Sequence, residues 1–465
     1  MTQIVASVSA LLIAIGLVLF GHGLQTTLLP LAAEQAEFSS LSIGLVSSAY
    51  FFGMVLGCLG SPHVIMRSGH IRAFAALVSL MSAAAILHPV SVDPVTWFII
   101  RVISGFCLAG FYMIVESWLN EAATNETRGM IMSLYIVVLF AAMMVGQVSI
   151  ALMDLNSFVP FAVASVLVSL AVIPVSLTRA NQPAPITIVQ FRPLKLYRNS
   201  PAALVGTLMI GVANGALLTL APLYGSQIGM TTNQAAIYSA AVLGGGMVAQ
   251  WPFGRLSDRM DRRKVLLGLS VTSCAVALGI ALFGPEGAVF ATVLAVVVGI
   301  FTQPTYAIAV SHAYDHCAPE DYVETSSGLL LSFGVGSVVG PLVASSMMQS
   351  LGPSGLYVLI AVIYLGLASF IVTRLVVRSP IAADEKVDFE YAATAQVGAV
   401  ISPEPLDVDA PNVIPPEEFP AYENDIYNFD ALNRSSEDDP TSPNEEQAGA
   451  EAPVAPGRTT DRQEG

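Results

Sequence analysis

Apolar residues run along this chain in long blocks, each closed by a short polar stretch. Twelve such blocks can be marked, at 4–31, 41–61, 72–90, 95–119, 128–153, 157–178, 200–226, 233–254, 264–283, 287–314, 325–350 and 353–376. A helix needs about 20 mostly apolar residues to cross the hydrocarbon core of a bilayer. Lipid offers no hydrogen bonds to an open backbone, so each block is predicted to be a membrane-crossing helix. The first block follows a start without Lys or Arg and is too long for a cleavable leader, so it reads as a retained span. The expected fold class is an all-α membrane protein with twelve transmembrane helices.

The short loops predict the orientation. Those after spans 1, 3, 5, 7, 9 and 11 hold no Lys or Arg but carry Glu34, Glu37, Asp93, Asp154 and Glu286. Those after spans 2, 4, 6 and 8 carry Arg67, Arg72, Arg128, Arg179, Arg192, Lys195, Arg198, Arg255, Arg259, Arg262, Arg263 and Lys264, while the loop after span 10 has acids alone. Basic loops stay in the cytoplasm. Both termini are therefore expected on the cytoplasmic side of a cytoplasmic (inner) membrane.

Composition sharpens this picture. Of 465 residues, 54 % are apolar and only 11 % charged, with a mean hydropathy of +0.68. A soluble chain carries about 25 % charge, so a soluble enzyme is excluded. The net charge of −15 is unevenly placed: residues 1–378 hold 15 basic and 14 acidic residues, whereas 379–465 hold 4 and 20. The acidic segment 379–465 is rich in Pro, Glu, Asp and Ala and is expected to be a disordered cytoplasmic tail. It would serve as a tether for a protein partner or as a plain solubilising extension. No basic patch suits nucleic acid. Cys58, Cys107, Cys274 and Cys317 form no CxxC pair and read as apolar packing residues, not as a disulfide framework or metal site. No Walker loop, dinucleotide-binding glycine pattern, zinc spacing or nucleophile elbow appears, so no cofactor and no catalytic residue is expected.

The longest internal loop, 179–199, splits the spans six and six, which predicts bundles over 1–178 and 200–378 joined by a cytoplasmic linker. The halves also resemble each other. Sliding the second over the first by about 192–194 residues lays 245–264 near 53–72, and sets Gly299, Tyr306 and Ser311 on Gly105, Tyr112 and Ser117. Parallel repeats with a binding site between them are a common transporter plan.

The stretch 254–264, GRLSDRMDRRK, resembles the cytoplasmic signature of the major facilitator superfamily at Gly254, Asp258, Arg259, Arg262 and Arg263, with Asp261 in place of the second glycine. The copy after span 2 keeps Arg67 and Gly69 but has Met66 where an Asp is expected. Arg101-x-x-x-Gly105 is similar to the family's span-4 motif, and Gly336-x-x-x-Gly340-Pro341 to its glycine–proline motif, here displaced to span 11. The segment 111–129, FYMIVESWLNEAATNETRG, resembles the YcaD-like branch. The resemblance covers about residues 1–378 and implies two pseudo-symmetric six-helix bundles that rock about a polar cavity lined by spans 1, 4, 7 and 10.

Polar side chains in apolar helices are costly and usually face such a cavity. In span 4, Arg101, Gly105, Leu108, Tyr112 and Glu116 share one helix face. Arg101 and Glu116 lie about 22 Å apart along the axis, too far to touch. Glu116 reads either as a proton-coupling carboxylate, since burial penalises its charged form, or as a structural gate paired with Arg128. Arg101 reads as a group that binds an anion or polarises a proton site, or else as one packed on backbone carbonyls. His22, Gln25 and Thr26 in span 1, Asn214 in span 7, and Gln303 and Tyr306 beside Pro304 in span 10 complete the candidates. Gly254, Asp258, Arg259, Arg262, Arg263 and Arg128 are expected to form a conformational gate, the Asp258 group favouring the outward-open state through cytoplasmic ion pairs. The predicted function is a secondary active transporter for a small organic solute, coupled to protons and favouring efflux. The alternatives are an uncoupled facilitator of the same fold and a membrane scaffold or sensor acting through its acidic tail.

Overall fold

The computed structural model describes residues 2–123, 127–177, 193–318 and 321–377, all within one compact unit. The tail 379–465, most of the linker and the Arg128 side chain lie outside the described residues. In order the helices are α1 (Thr2–Gln35), α2 (Ser40–Ser68), α3 (His70–Leu87), α4 (Pro94–Ala122), α5 (Arg128–Ser149), α6 (Val159–Leu170), α7 (Val172–Ser176), α8 (Pro193–Asn199), α9 (Pro201–Gln227), α10 (Thr232–Arg259), α11 (Arg262–Phe283), α12 (Ala288–Thr302), α13 (Pro304–Tyr314), α14 (Tyr322–Leu351) and α15 (Gly355–Val377). A 3-10 turn, Ile150–Leu152, extends α5. No strand occurs among the described residues.

Polar punctuation starts these helices where the apolar blocks begin. Ser39 accepts from the Ser42 N–H at 3.1 Å, Asp93 from that of Thr96 at 2.9 Å, and Thr231 and Gln234 form a reciprocal capping box. Pro94 and Pro201 stand in first turns, where the missing N–H costs nothing. The block at 287–314 is broken at Gln303, because Pro304 cannot donate to the helix before it. The sixth block is likewise two pieces, α6 and α7, meeting at Ala171. The linker, expected as loop throughout, carries a helical turn, α8, opened by Pro193.

Eleven of the twelve passes are long and apolar enough to cross a membrane. The exception among the described residues is α10, which holds Asn233, Gln234, Gln250 and three glycines, Gly244–Gly246. It packs on α5, α9, α12 and α13. Protein contact lets a span carry polar and small residues that lipid contact would penalise.

The repeat is visible as four reciprocal glycine crossings. At α2 with α4, a Cβ on Gly53 would lie 2.0 Å from the Val102 carbonyl oxygen and one on Gly105 would lie 2.0 Å from that of Tyr50. At α10 with α12, Gly245 meets Val296 O at 2.2 Å and Gly299 meets Val242 O at 2.0 Å. The other two crossings pair α1 with α5, through Gly23 on Met143 and Gly146 on Phe20, and α9 with α14, through Gly211 on Phe333 and Gly336 on Leu208. Hydrogen in place of Cβ lets each backbone sit in the other's groove. The first two crossings follow the expected offset of 192–194 residues, but the second two follow 188–190. The glycine–proline motif of α14 thus has its packing counterpart in α5. Gly105→Val and Gly299→Val are expected to destabilise the folded protein by similar amounts, about 1–3 kcal/mol each, read as lowered unfolding midpoints in detergent. Unequal shifts would show that the two crossings are not equivalent.

Between halves, α2 lies along α14, α5 along α10 and α1 along α9. Gly44 abuts Ser345, Gly334 approaches Val55, and Gly244 approaches Met144. Gly44 opens α2 and Ser345 closes α14, so this meeting lies toward the face of the α1–α2 turn. The face bearing the start of α1 and the linker helix α8 is called the linker face below.

Candidate functional site

The nine cavity candidates sort into three clusters stacked along the bundle. The cluster farthest from the linker face is built on Arg101, eighth residue of α4. Its guanidinium lies over the Tyr50 ring, 4.4 Å from the centroid. Tyr50 is held by His22, whose Nε2 stands 3.3 Å from the phenol oxygen and whose ring stacks on it at 5.2 Å. Gln25, Thr26 and Arg101, with Ser47 of α2 and Thr219 of α9, line a narrow recess that is partly open to its surroundings. The Thr26 hydroxyl donates to the His22 carbonyl at 2.9 Å. Span 1 and span 4 candidates are thus brought together, and α9 contributes Thr219 from the other half.

The central cluster belongs mainly to the second half. Asn214, Gln303 and Tyr306 share a narrow recess with Gln250, Phe140 and Phe333. Gly246 lets α10 approach, since a Cβ there would lie 2.5 Å from the Gln303 side chain. Tyr306 and Phe333 meet edge to face at 4.9 Å. Asn214, Gln250 and Gln303 each keep one buried amide atom without a protein partner. Burying such an atom unpaired costs about 1–3 kcal/mol, so three around one recess form a surface prepared for a polar ligand or water.

The third cluster lies toward the linker face. Glu116, 4 % exposed, accepts a hydrogen bond from the Tyr135 hydroxyl at 2.8 Å. Tyr112, one turn before it on α4, is buried beside the pair. The expected partner Arg128 cannot be set against this, because its side chain lies outside the described residues. Arg101 and Glu116 occupy separate clusters, as their axial spacing requires.

Sequence reasoning missed Tyr135, Gln250 and Thr219. Gln250 was legible as an amide deep within the eighth block, but it stands beside the charged signature and in a span not expected to line the cavity. Tyr135 and Thr219 carry no such signal, because a tyrosine or threonine in a span is ordinary. Arg101 and Glu116 have no polar counterpart in the repeat: the offset that superposes Gly105 on Gly299 sets them on Ala295 and Val310.

The signature segment is a brace within the second half. Arg262, 1 % exposed, donates from Nε to Asp315 at 2.8 Å and pairs through Nη1 with Asp258 at 3.1 Å. Arg263 clasps Asp261 at 2.8 Å and donates to the Arg374 carbonyl at 3.2 Å. These contacts tie α10 and α11 to the end of α13 and to α15. The ion pairs described here hold helix ends of the second half together, with Asp315 a partner that the sequence pattern did not name. Gly254 is buried and Arg259 exposed. Burial alone would raise the Asp261 carboxyl, but the side-chain and backbone donors of Arg263 and its charge outweigh this and hold it below the ordinary aspartate value. A depressed value means that this cap is intact at neutral pH and is lost only as the pH falls through it. Lys195 of α8 bonds Asp321 at 2.7 Å and Glu324 at 3.4 Å, the Asp321 bond leading the effects that raise its ammonium above the ordinary lysine value. That latch holds at neutral pH and opens as the pH rises through the raised value.

A family model described as Major Facilitator Superfamily matches residues 11–330 and 229–406. The chain is 29 % identical over 342 residues to an uncharacterized MFS-type transporter of Enterobacter sp. (strain 638), covering 72 % of this chain and 87 % of that protein. It is 29 % identical over 344 residues to the uncharacterized MFS-type transporter YcaD of Salmonella newport (strain SL254), with 72 % and 87 % covered. Its fold is similar to the crystal structure of the nucleoside transporter NupG, with a TM-score of 0.64 at 15 % identity over 79 % of this chain and 98 % of that one.

Proposed function

The chain belongs to the major facilitator superfamily, and from that premise we propose that it is a proton-coupled secondary transporter. It carries a small organic solute across the cytoplasmic membrane by alternating access between its two halves. The linker face is the cytoplasmic one, since Arg67, Arg72, Lys195, Arg198 and the signature arginines lie there. On the other face the halves meet through Gly44 and Ser345, and rocking would part that contact. The solute rests against the amides of Asn214, Gln250 and Gln303 and the Tyr306 ring. Export suits this lining, which offers amides and aromatic faces with few fixed charges.

One observation carries the coupling: Glu116 is buried and meets a phenol, with no cation paired to it among the described residues. A carboxylate without a counter-charge is poorly tolerated in a low dielectric. It therefore holds a proton when enclosed and releases it when water reaches it, which ties proton movement to the rocking of the halves. The test uses proteoliposomes loaded with a pH-reporting dye and solutes drawn from a metabolite comparison of cells with and without the protein. A solute that moves protons with it, and accumulates when a pH gradient is imposed, is the expected result. Flux indifferent to the gradient would overturn the coupling.

A further inference from the structure

Arg101 has a charge that nothing in its surroundings answers. The residue is 4 % exposed, and its Nη1 is enclosed without a hydrogen-bond partner. No carboxylate pairs with it among the described residues; its neighbours are the Tyr50 ring and His22. A guanidinium does not shed its proton in a protein, and leaving one buried and unpaired is strongly unfavourable. Packing on backbone carbonyls would have removed that cost, but no carbonyl accepts from it. The side chain is also held in place, because the His22–Tyr50 stack fixes the ring over which the guanidinium carbon lies. Its free edge belongs to the recess lined by Gln25, Thr26, Ser47 and Thr219, which lies beside the Gly44–Ser345 closure. A fixed guanidinium with an open edge in a recess that offers an amide and hydroxyls matches a planar oxyanion, which it can meet with two parallel N–H donors.

We propose that this recess binds a small organic anion, whose carboxylate is forked by Arg101 and flanked by Gln25, Thr26 and Ser47. That a transported solute meets this anion site on its way rests on the transport reading above; the site itself does not.

The test is made on the purified full chain in detergent, in chloride-free buffer, by thermal unfolding. Acetate, pyruvate, benzoate and phenylacetate are each compared with the corresponding neutral amide, and chloride is added alone. A saturable upward shift for at least one carboxylate, absent with its amide, is expected. Arg101→Gln should weaken that binding roughly 10- to 100-fold, the worth of a charge-assisted hydrogen bond. Ser47→Leu fills the recess without touching the charge and should weaken binding as well, which decides the matter if Arg101→Gln does not fold. The binding shift is read without a membrane or an imposed pH gradient, so failure of proton coupling and failure of this site are told apart. The proposal is overturned if no carboxylate outperforms its amide, if chloride alone gives the same shift, or if both recess variants bind undiminished.

Discussion

Glu116→Gln is expected to leave solute flux down its own gradient intact while abolishing accumulation driven by a pH gradient. With one proton moved per solute, each pH unit is worth about 1.4 kcal/mol, or a tenfold solute gradient. The variant should fall from that tenfold ratio to equal concentrations inside and outside. Glutamine has nearly the same shape and can still accept from the Tyr135 hydroxyl, which lies 2.8 Å from the native carboxylate, so the packing of α4 on α5 is retained. Only the ability to take and release a proton is lost. A brace would behave differently: if Glu116 served to hold helix ends, the substitution would lower stability and leave the pH-driven ratio where it was. Measuring the steady-state ratio in proteoliposomes at several imposed gradients separates these outcomes.

The second large effect is expected at the far end of α2. Gly44→Val should cut transport and open the face opposite the linker. A Cβ at this position would lie 1.9 Å from the Ser345 hydroxyl oxygen and 2.7 Å from the Pro341 carbonyl oxygen, and a backbone carbonyl cannot step aside as a side-chain tip can. Overpacking of this kind costs about 1–3 kcal/mol. Only the conformation in which α2 and α14 meet bears the cost, so the balance between conformations moves by about 5- to 150-fold. Ser47 lies one turn along α2 and lines the Arg101 recess. In a background lacking Cys58, Cys107, Cys274 and Cys317, Ser47→Cys should react faster with a membrane-impermeant thiol reagent from outside when Gly44→Val is also present. Unchanged labelling with unchanged flux would remove this contact from the transport cycle.

Much of this architecture was legible because its causes are local. A run of apolar residues has one stable form in lipid, a helix that satisfies its own backbone. The twelve blocks therefore became twelve passes, with start positions set by Ser39, Asp93 and Thr231. The break at Gln303 could be expected from Pro304, but the break at Ala171 could not, and α8 arose inside a stretch that composition marked as loop. Repeat detection succeeded at α2, α4, α10 and α12 because glycines there must recur wherever backbones cross. It missed the shift of a few residues in the α1–α5 and α9–α14 crossings, since apolar sequence aligns almost as well at one offset as at another.

The sequence by itself determined the number of crossings, the crowding of positive charge on one side and the short list of polar residues inside the spans. These follow from the cost of placing charge or an open backbone in hydrocarbon, which each segment meets alone. Only the tertiary structure decided that Tyr135 bonds Glu116, that Arg262 reaches Asp315, that Gln250 joins Asn214 and Gln303, and that Arg101 is left with a tyrosine face and an open edge. Those pairings join positions far apart in the chain. They depend on helix rotation and on glycine-to-carbonyl distances at the crossings, and no periodicity within a single span encodes either.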